Sequence, residues 1–211
     1  PLGRISYRSI GMLRGEIQVV VPETYDWTRF GAAGAVVTMN DVINRILSIP
    51  LPRRPRTSVV MGRIEGGTSA HTTAHQALLE FEIRSESREM VHSIEERFTD
   101  IVEEVTRETG AQVAMESFGS RAPGGIPFRH PLVQGTQAVM QALDITPRTA
   151  PSTSELSAFI DRGLPAVTLG ITRGEHLDRE NETVFVEPIA KGVAQVLGAL
   201  LLVDKGCCDG H

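Results

Sequence analysis

Across residues 15–118 the apolar residues recur first at every second position and then every three to four, and the two periods alternate in an order few folds can satisfy. Ile17, Val19 and Val21 share one face of a strand over 15–21. Val36, Met39, Ile43, Ile46 and Leu47 are spaced as one stripe of a helix, which the prolines of 50–55 end. A strand over 57–64 and a turn at Gly66-Gly67 follow. Ala77, Leu79, Phe81 and Ile83 then alternate with Leu78, Glu80, Glu82 and Arg84, which is a half-buried strand. Val91, Ile94, Phe98, Ile101, Val102 and Val105 make the strongest helical stripe, with Glu86 and Glu89 in its first turn and Gly110 at its end. Residues 112–118 form a last strand. The order strand, helix, strand, strand, helix, strand predicts a ferredoxin-like split βαβ sandwich, and 41% hydrophobic residues can fill its core.

The flanks read differently. A strand is expected over 4–10. Beyond the turn-rich 121–128 come a helix over 130–143, a short extended piece over 146–149, a helix over 154–162, an apolar strand over 166–170 and a helix over 188–203 opened by Glu187-Pro188. Alternating strands and helices predict a parallel, helix-covered sheet, so the fold class is α/β with an α+β central part. Two or three strands would leave long unpaired edges, as in a domain whose other strands lie elsewhere. The expected organisation is 1–14 as a strand and linker, 15–118 as the ferredoxin-like domain, 119–204 as part of an α/β domain and 205–211 as a tail.

With 21 Lys and Arg against 26 Asp and Glu, a net charge of −5 and no basic cluster, nucleic acid is excluded as a partner. The longest apolar run, 193–203, falls well short of the roughly 20 residues that span a bilayer, so no membrane is expected. Residue 1 is a proline rather than an initiator Met, and no apolar signal core follows it, which suggests a processed or partial chain. Cys207 and Cys208 are adjacent, their Cα atoms about 3.8 Å apart, closer than relaxed disulfide geometry prefers. A reduced, cytoplasmic protein is the expectation.

Few residues are candidates for chemistry. His176 lies in a long loop, 171–186, after an expected strand, among Glu175, Asp178, Glu180 and Glu182; it reads either as a metal ligand or general acid/base, or as a surface histidine in a charged loop. His71 and His75 are four apart, but four residues of strand span roughly 13 Å, too far for one ion, so they read as turn and strand-start residues. Arg84 is the only cation in its alternating strand and could grip a carboxylate with two bonds; an ion pair with Glu82 or Glu86 accounts for it equally. Ser154 and Glu155 lack the Gly-x-Ser-x-Gly setting of a nucleophile, and a Ser/Thr helix cap explains Ser154.

Taken together, several segments resemble the two-zinc exopeptidase and amidohydrolase family of peptidase T, carboxypeptidase G and the aminoacylases. Gly62-Arg63-Ile64-Glu65-Gly66-Gly67-Thr68-Ser69, then His75, then Glu80-Phe81-Glu82-Ile83-Arg84-Ser85, are similar to that family's lid-domain signature. Gly163-Leu164-Pro165-Ala166-Val167-Thr168-Leu169-Gly170 and the stretch from His176 to Glu180 resemble its final strand and the loop of its last zinc ligand. The resemblance implies a dimerising lid inserted into a zinc-binding α/β domain, a homodimer, and a peptide or N-acyl amino acid substrate attacked by metal-activated water. It implies that His176 holds one of two zinc ions and Arg84 the substrate carboxylate. It further implies that the catalytic base and the other zinc ligands belong to a missing amino-terminal half, leaving this chain inactive alone. The family's Gly-Gly-His-Ser-Trp is here Glu23-Thr24-Tyr25-Asp26-Trp27, so Tyr25 stands at the oxyanion position without an imidazolium's charge. His71 replaces an Asn that contacts the substrate backbone, and Glu155 falls within a second altered substrate-binding run, Thr153-Ser154-Glu155-Leu156-Ser157. The alternative is a non-catalytic dimerising or ligand-binding module derived from that family.

Overall fold

The computed structural model describes residues 1–23, 33–176 and 179–206. The chain begins with β1 (Arg4–Ser6) and β2 (Arg8–Ser9), then runs through β3 (Gly11–Val20), α1 (Ala35–Leu47), β4 (Thr57–Gly66), β5 (Gln76–Ser85), α2 (Arg88–Thr109) and β6 (Gln112–Arg121). It continues with β7 (Gly124–Gly125), α3 (Pro131–Ala142), β8 (Arg148–Thr149), α4 (Leu156–Asp161), β9 (Thr168–Leu169), β10 (Gly174–Glu175), β11 (Thr183–Val184) and α5 (Ile189–Asp204). These elements form two compact units: Gly11–Arg121, and Pro1–Ile10 together with Ala122–His211.

The central unit is the predicted split βαβ sandwich. Its sheet is antiparallel throughout, in the order β4-β5-β3-β6. Ala77, Leu79, Phe81 and Ile83 of β5 are all buried, and with Ile17 and Val19 of β3 they meet Met39, Val42, Ile94, Phe98 and Val105 from the two helices. Phe81 and Phe98 lie 4.8 Å apart, ring centre to ring centre, in a tilted pair. The alternate residues Arg14, Glu16, Glu80, Glu82 and Arg84 occupy the sheet's other face, so the pattern that buries one face makes the second one charged.

Helix α2 starts where Ser87 accepts a hydrogen bond from the Met90 N–H at 3.2 Å and stops at Gly110, whose φ of 70° suits a residue without a Cβ. Glu86 lies ahead of the helix rather than in its first turn, and its carboxylate accepts from the Arg56 N–H. Helix α1 is rotated from the expected stripe. It buries Ala35, Thr38, Met39, Val42 and Ile46, leaving Val36 and Leu47 exposed, because the small Ala35 and Thr38 can approach the sheet closely.

The flanking unit has shorter strands than expected. Its three-stranded sheet has the order β8-β1-β9, parallel on one side and antiparallel on the other, so the all-parallel expectation is corrected. The apolar run 166–170 contributes only two paired residues, and all five of its residues are half-buried. Ile5, Val133, Met140 and Ile145 form its core. Helix α3 is capped by His130, whose Nδ1 accepts from the Leu132 N–H at 3.2 Å. The expected Ser154 cap of the next helix is absent: Glu155 is the cap residue and makes no side-chain cap bond, while Ser154 bonds Ser152. No described helix is long and apolar enough to cross a membrane.

Candidate functional site

Arg84 lies on the charged face of the sheet, next to last in β5, opposite Met12 of β3 and Ser58 of β4. Of its two expected ion partners it takes Glu82, two residues back on the same face, through its Nε. Glu82 is shared. Its other oxygen accepts from the Nε of Arg14, which β3 places directly opposite, at 2.5 Å. Burial pushes the Glu82 carboxyl up, and the two guanidiniums outweigh it, holding the group below the usual carboxylate range. Sequence reasoning paired Arg84 with Glu82 but missed Arg14, because that contact depends on the register between two strands more than 60 residues apart.

His71 sits at the other end of the same hairpin. The loop between β4 and β5 carries it, exposed, with Nδ1 3.1 Å from the Ser69 hydroxyl. His75, at the start of β5, gives its carbonyl to the Val21 N–H, while its Nδ1 is buried without a partner among the described residues. Beside it, a groove of about 500 Å³ is lined by Gln18, Glu65, Thr68, Thr73 and His75, among others. From Ala77 to Arg84 is a rise of seven strand residues, about 23 Å, so one subunit cannot bring His71 and Arg84 onto one small substrate.

His176 belongs to the flanking unit, in the turn between the paired β10 and β11. Its imidazole is exposed and its φ is 55°, a left-handed conformation that costs a non-glycine residue of the order of 1 kcal/mol. The loop closes on itself through a bond from the Arg179 N–H to the His176 carbonyl. Among the described residues no three His, Cys, Asp or Glu side chains converge as a metal group. The described residues therefore do not fit a zinc site by themselves. Glu155 is exposed at the start of α4. Tyr25, Asp178 and the Cys207-Cys208 pair fall outside the described residues.

Residues 29–110 match the family model described as the peptidase dimerisation domain. The match lies within the central unit, which is thus similar to a peptidase dimerisation domain. Solved structures share the fold of the chain. A tripeptidase from Staphylococcus aureus superposes with a TM-score of 0.81 at 20% identity, over 97% of this chain and 54% of its own. The aminopeptidase PepT from Bacillus cereus gives 0.75 at 19% identity, over 94% and 53%. YxeP from Bacillus subtilis, described as a dinuclear metal binding peptidase from the M20 family, gives 0.63 at 17% identity, over 96% and 54%. The chain thus spans about half the length of the structures it matches. No curated protein matches it in sequence.

Proposed function

We propose that these residues are the carboxyl-terminal part of a zinc-dependent, peptidase-like hydrolase of peptide or N-acyl amide bonds that acts as a homodimer. The other zinc ligands and the base would come from a segment outside these 211 residues. In the assembled enzyme His176 would hold one zinc ion, and Arg84 would bind the substrate carboxylate.

The opposite placement of His71 and Arg84 on one hairpin supports this reading best. Among the described residues β4 is an edge strand, with an unpaired row of backbone groups along its outer side. Two copies joined antiparallel along that edge by a two-fold axis would set the Gly66 end of one β4 beside the Thr57 end of the other. His71 of one subunit would then approach Arg84 of its partner, and a site split across one chain would be whole across two. Val37 and Ile64, 61% and 59% exposed, would be covered by such a pairing. The second reading, a non-catalytic dimerising module, is favoured by the residues at His71, Tyr25 and Glu155, which depart from the family pattern.

Sedimentation of the chain at micromolar concentration should give a dimer, and Val37→Glu with Ile64→Lys should give a folded monomer; a wild-type monomer at high concentration would refute the pairing. The isolated chain should show no amidase activity with zinc or cobalt. Joined to the segment encoded immediately upstream, it should hydrolyse N-acyl amino acids or peptides, with kcat/KM reduced at least about 100-fold by Arg84→Ala. Turnover by the isolated chain that disappears in His176→Ala would overturn the proposal of an outside ligand set, and inactivity of the joined protein would favour the non-catalytic module.

A further inference from the structure

Glu82 has a place in this geometry that an ordinary surface ion pair does not explain. Its side chain is 12% exposed, whereas the Arg14 and Arg84 side chains that flank it are 53% and 43% exposed. The acid is thus the fixed member and the bases are its solvent-facing arms. Each oxygen takes one guanidinium through Nε, the inner nitrogen. Among the described residues, the two outer nitrogens of Arg84 have no acceptor. One carboxylate cannot neutralise two guanidiniums, so these three residues together keep a net positive charge, with Glu16 and Glu80 beside them on the same face and Glu80 engaged by Arg63.

An isolated exposed pair contributes little, largely because both long side chains must be immobilised to make it. Here the acceptor is held by burial and by Arg14 before Arg84 arrives, so less freedom is lost per bond. A guanidinium held by Nε has its plane set, and its Nη1–Nη2 edge, the one matched to a carboxylate in a two-bond fork, points away from the holder. We propose that Glu82 is a positioning residue: with Arg14 as its second tether, it holds Arg84 by Nε and presents the Nη edge to the carboxylate of an incoming N-acyl amino acid or peptide. The proposal rests on the assignment of Arg84 to carboxylate binding.

The test uses N-acetyl-L-alanine as the probe and N-acetyl-L-alaninamide as its uncharged control, with ¹⁵N NMR of the arginine side chains in the whole 211-residue chain. The wild type should show a slowly exchanging Arg84 Nε–H and a saturable response to the acid but not to the amide. Arg84→Ala should weaken probe binding at least about tenfold, Glu82→Gln about fivefold and Arg14→Gln about twofold, with the fold retained by circular dichroism. In Glu82→Gln the Arg84 Nε–H should exchange faster, a change that a purely structural role for Glu82 would not produce. If Arg84→Ala weakens binding while Glu82→Gln does not, the positioning role fails and the carboxylate site stands. If Glu82→Gln tightens binding, Glu82 is a competitor for Arg84 rather than its holder, and the proposal is overturned. If Arg84→Ala has no effect, the assignment of Arg84 fails and the proposal with it. Should Glu82→Gln not fold, Arg14→Gln and the wild-type exchange rate decide, and a rapidly averaging Arg84 Nε–H overturns the proposal.

Discussion

Helices α2 and α5 show how differently the two units use apolar residues. α2 is studded with charges, yet it buries Ile94, Phe98, Ile101, Val102 and Val105 in one stripe. α5 carries one charge before its last residue and is apolar along most of its length, yet Val193, Leu197, Leu200 and Leu201 are 45–58% exposed, and Gly192, Gln195 and Ala199 are its buried residues. Hydrophobic content therefore does not rank burial; the arrangement of that content and the availability of a surface to meet it do. The central unit supplies its own surface. The flanking unit leaves much of α5 uncovered.

The contrast can be broken most sharply at the core. Phe98→Ala removes a fully buried ring tilted against Phe81 and should destabilise the central unit by about 3–5 kcal/mol in denaturant titrations; a loss below about 1 kcal/mol would mean that the α2 stripe is not the unit's anchor. Next is the cap. Ser87→Ala should cost about 1 kcal/mol, since it leaves the Met90 N–H without its partner. α5 has no side-chain cap to lose at Pro188.

Acid should act on the central unit through three carboxylates. Burial pushes Glu82 up, but Arg14 and Arg84 more than offset it; the Ser87 hydroxyl holds Glu89 down; and Arg45 holds Glu108 down. A carboxyl lowered by folding binds fewer protons in the native than in the unfolded state. Its stabilisation is complete above the ordinary glutamate value of about 4.3 and is lost as pH falls through the lower native value. The denaturation midpoint should thus be flat near neutrality and fall on acidification below about pH 5, and Arg45→Gln should flatten that fall; a midpoint that rises on acidification would contradict the ion-pair geometry. The smallest effect belongs to α5. Leu200→Ala should change the stability of this chain by less than about 0.5 kcal/mol, because the side chain is 58% exposed. A cost of 2 kcal/mol or more would show that α5 is already covered in solution.

The central fold was legible because both of its periods are written in the residues themselves: Ala77 to Ile83 alternate, and Ile94 to Val105 follow a helical stripe. The rotation of α1 was not, since Val36 and Leu47 carry the apolar signal while Ala35 and Thr38, small enough for close approach, carry the contact. In the flank, the run 166–170 correctly signalled an apolar segment but not how much of it pairs, which depends on what lies alongside. Of the site, Arg84 and its Glu82 partner could be read from spacing on one strand. Arg14 required the β3–β5 register, and the left-handed backbone of His176 has no signature in a histidine side chain.

The base of the His176 loop is fixed from a distance. A Cβ at Gly192 of α5 would fall 1.9 Å from the Ile171 carbonyl oxygen, at the point where the loop leaves its strand. Neither group can yield without moving backbone. A mutant library aimed at retuning that loop should therefore hold residue 192 as glycine and spend its diversity on 173–182. Selection from an unrestricted library should return glycine at position 192 even as the exposed loop drifts.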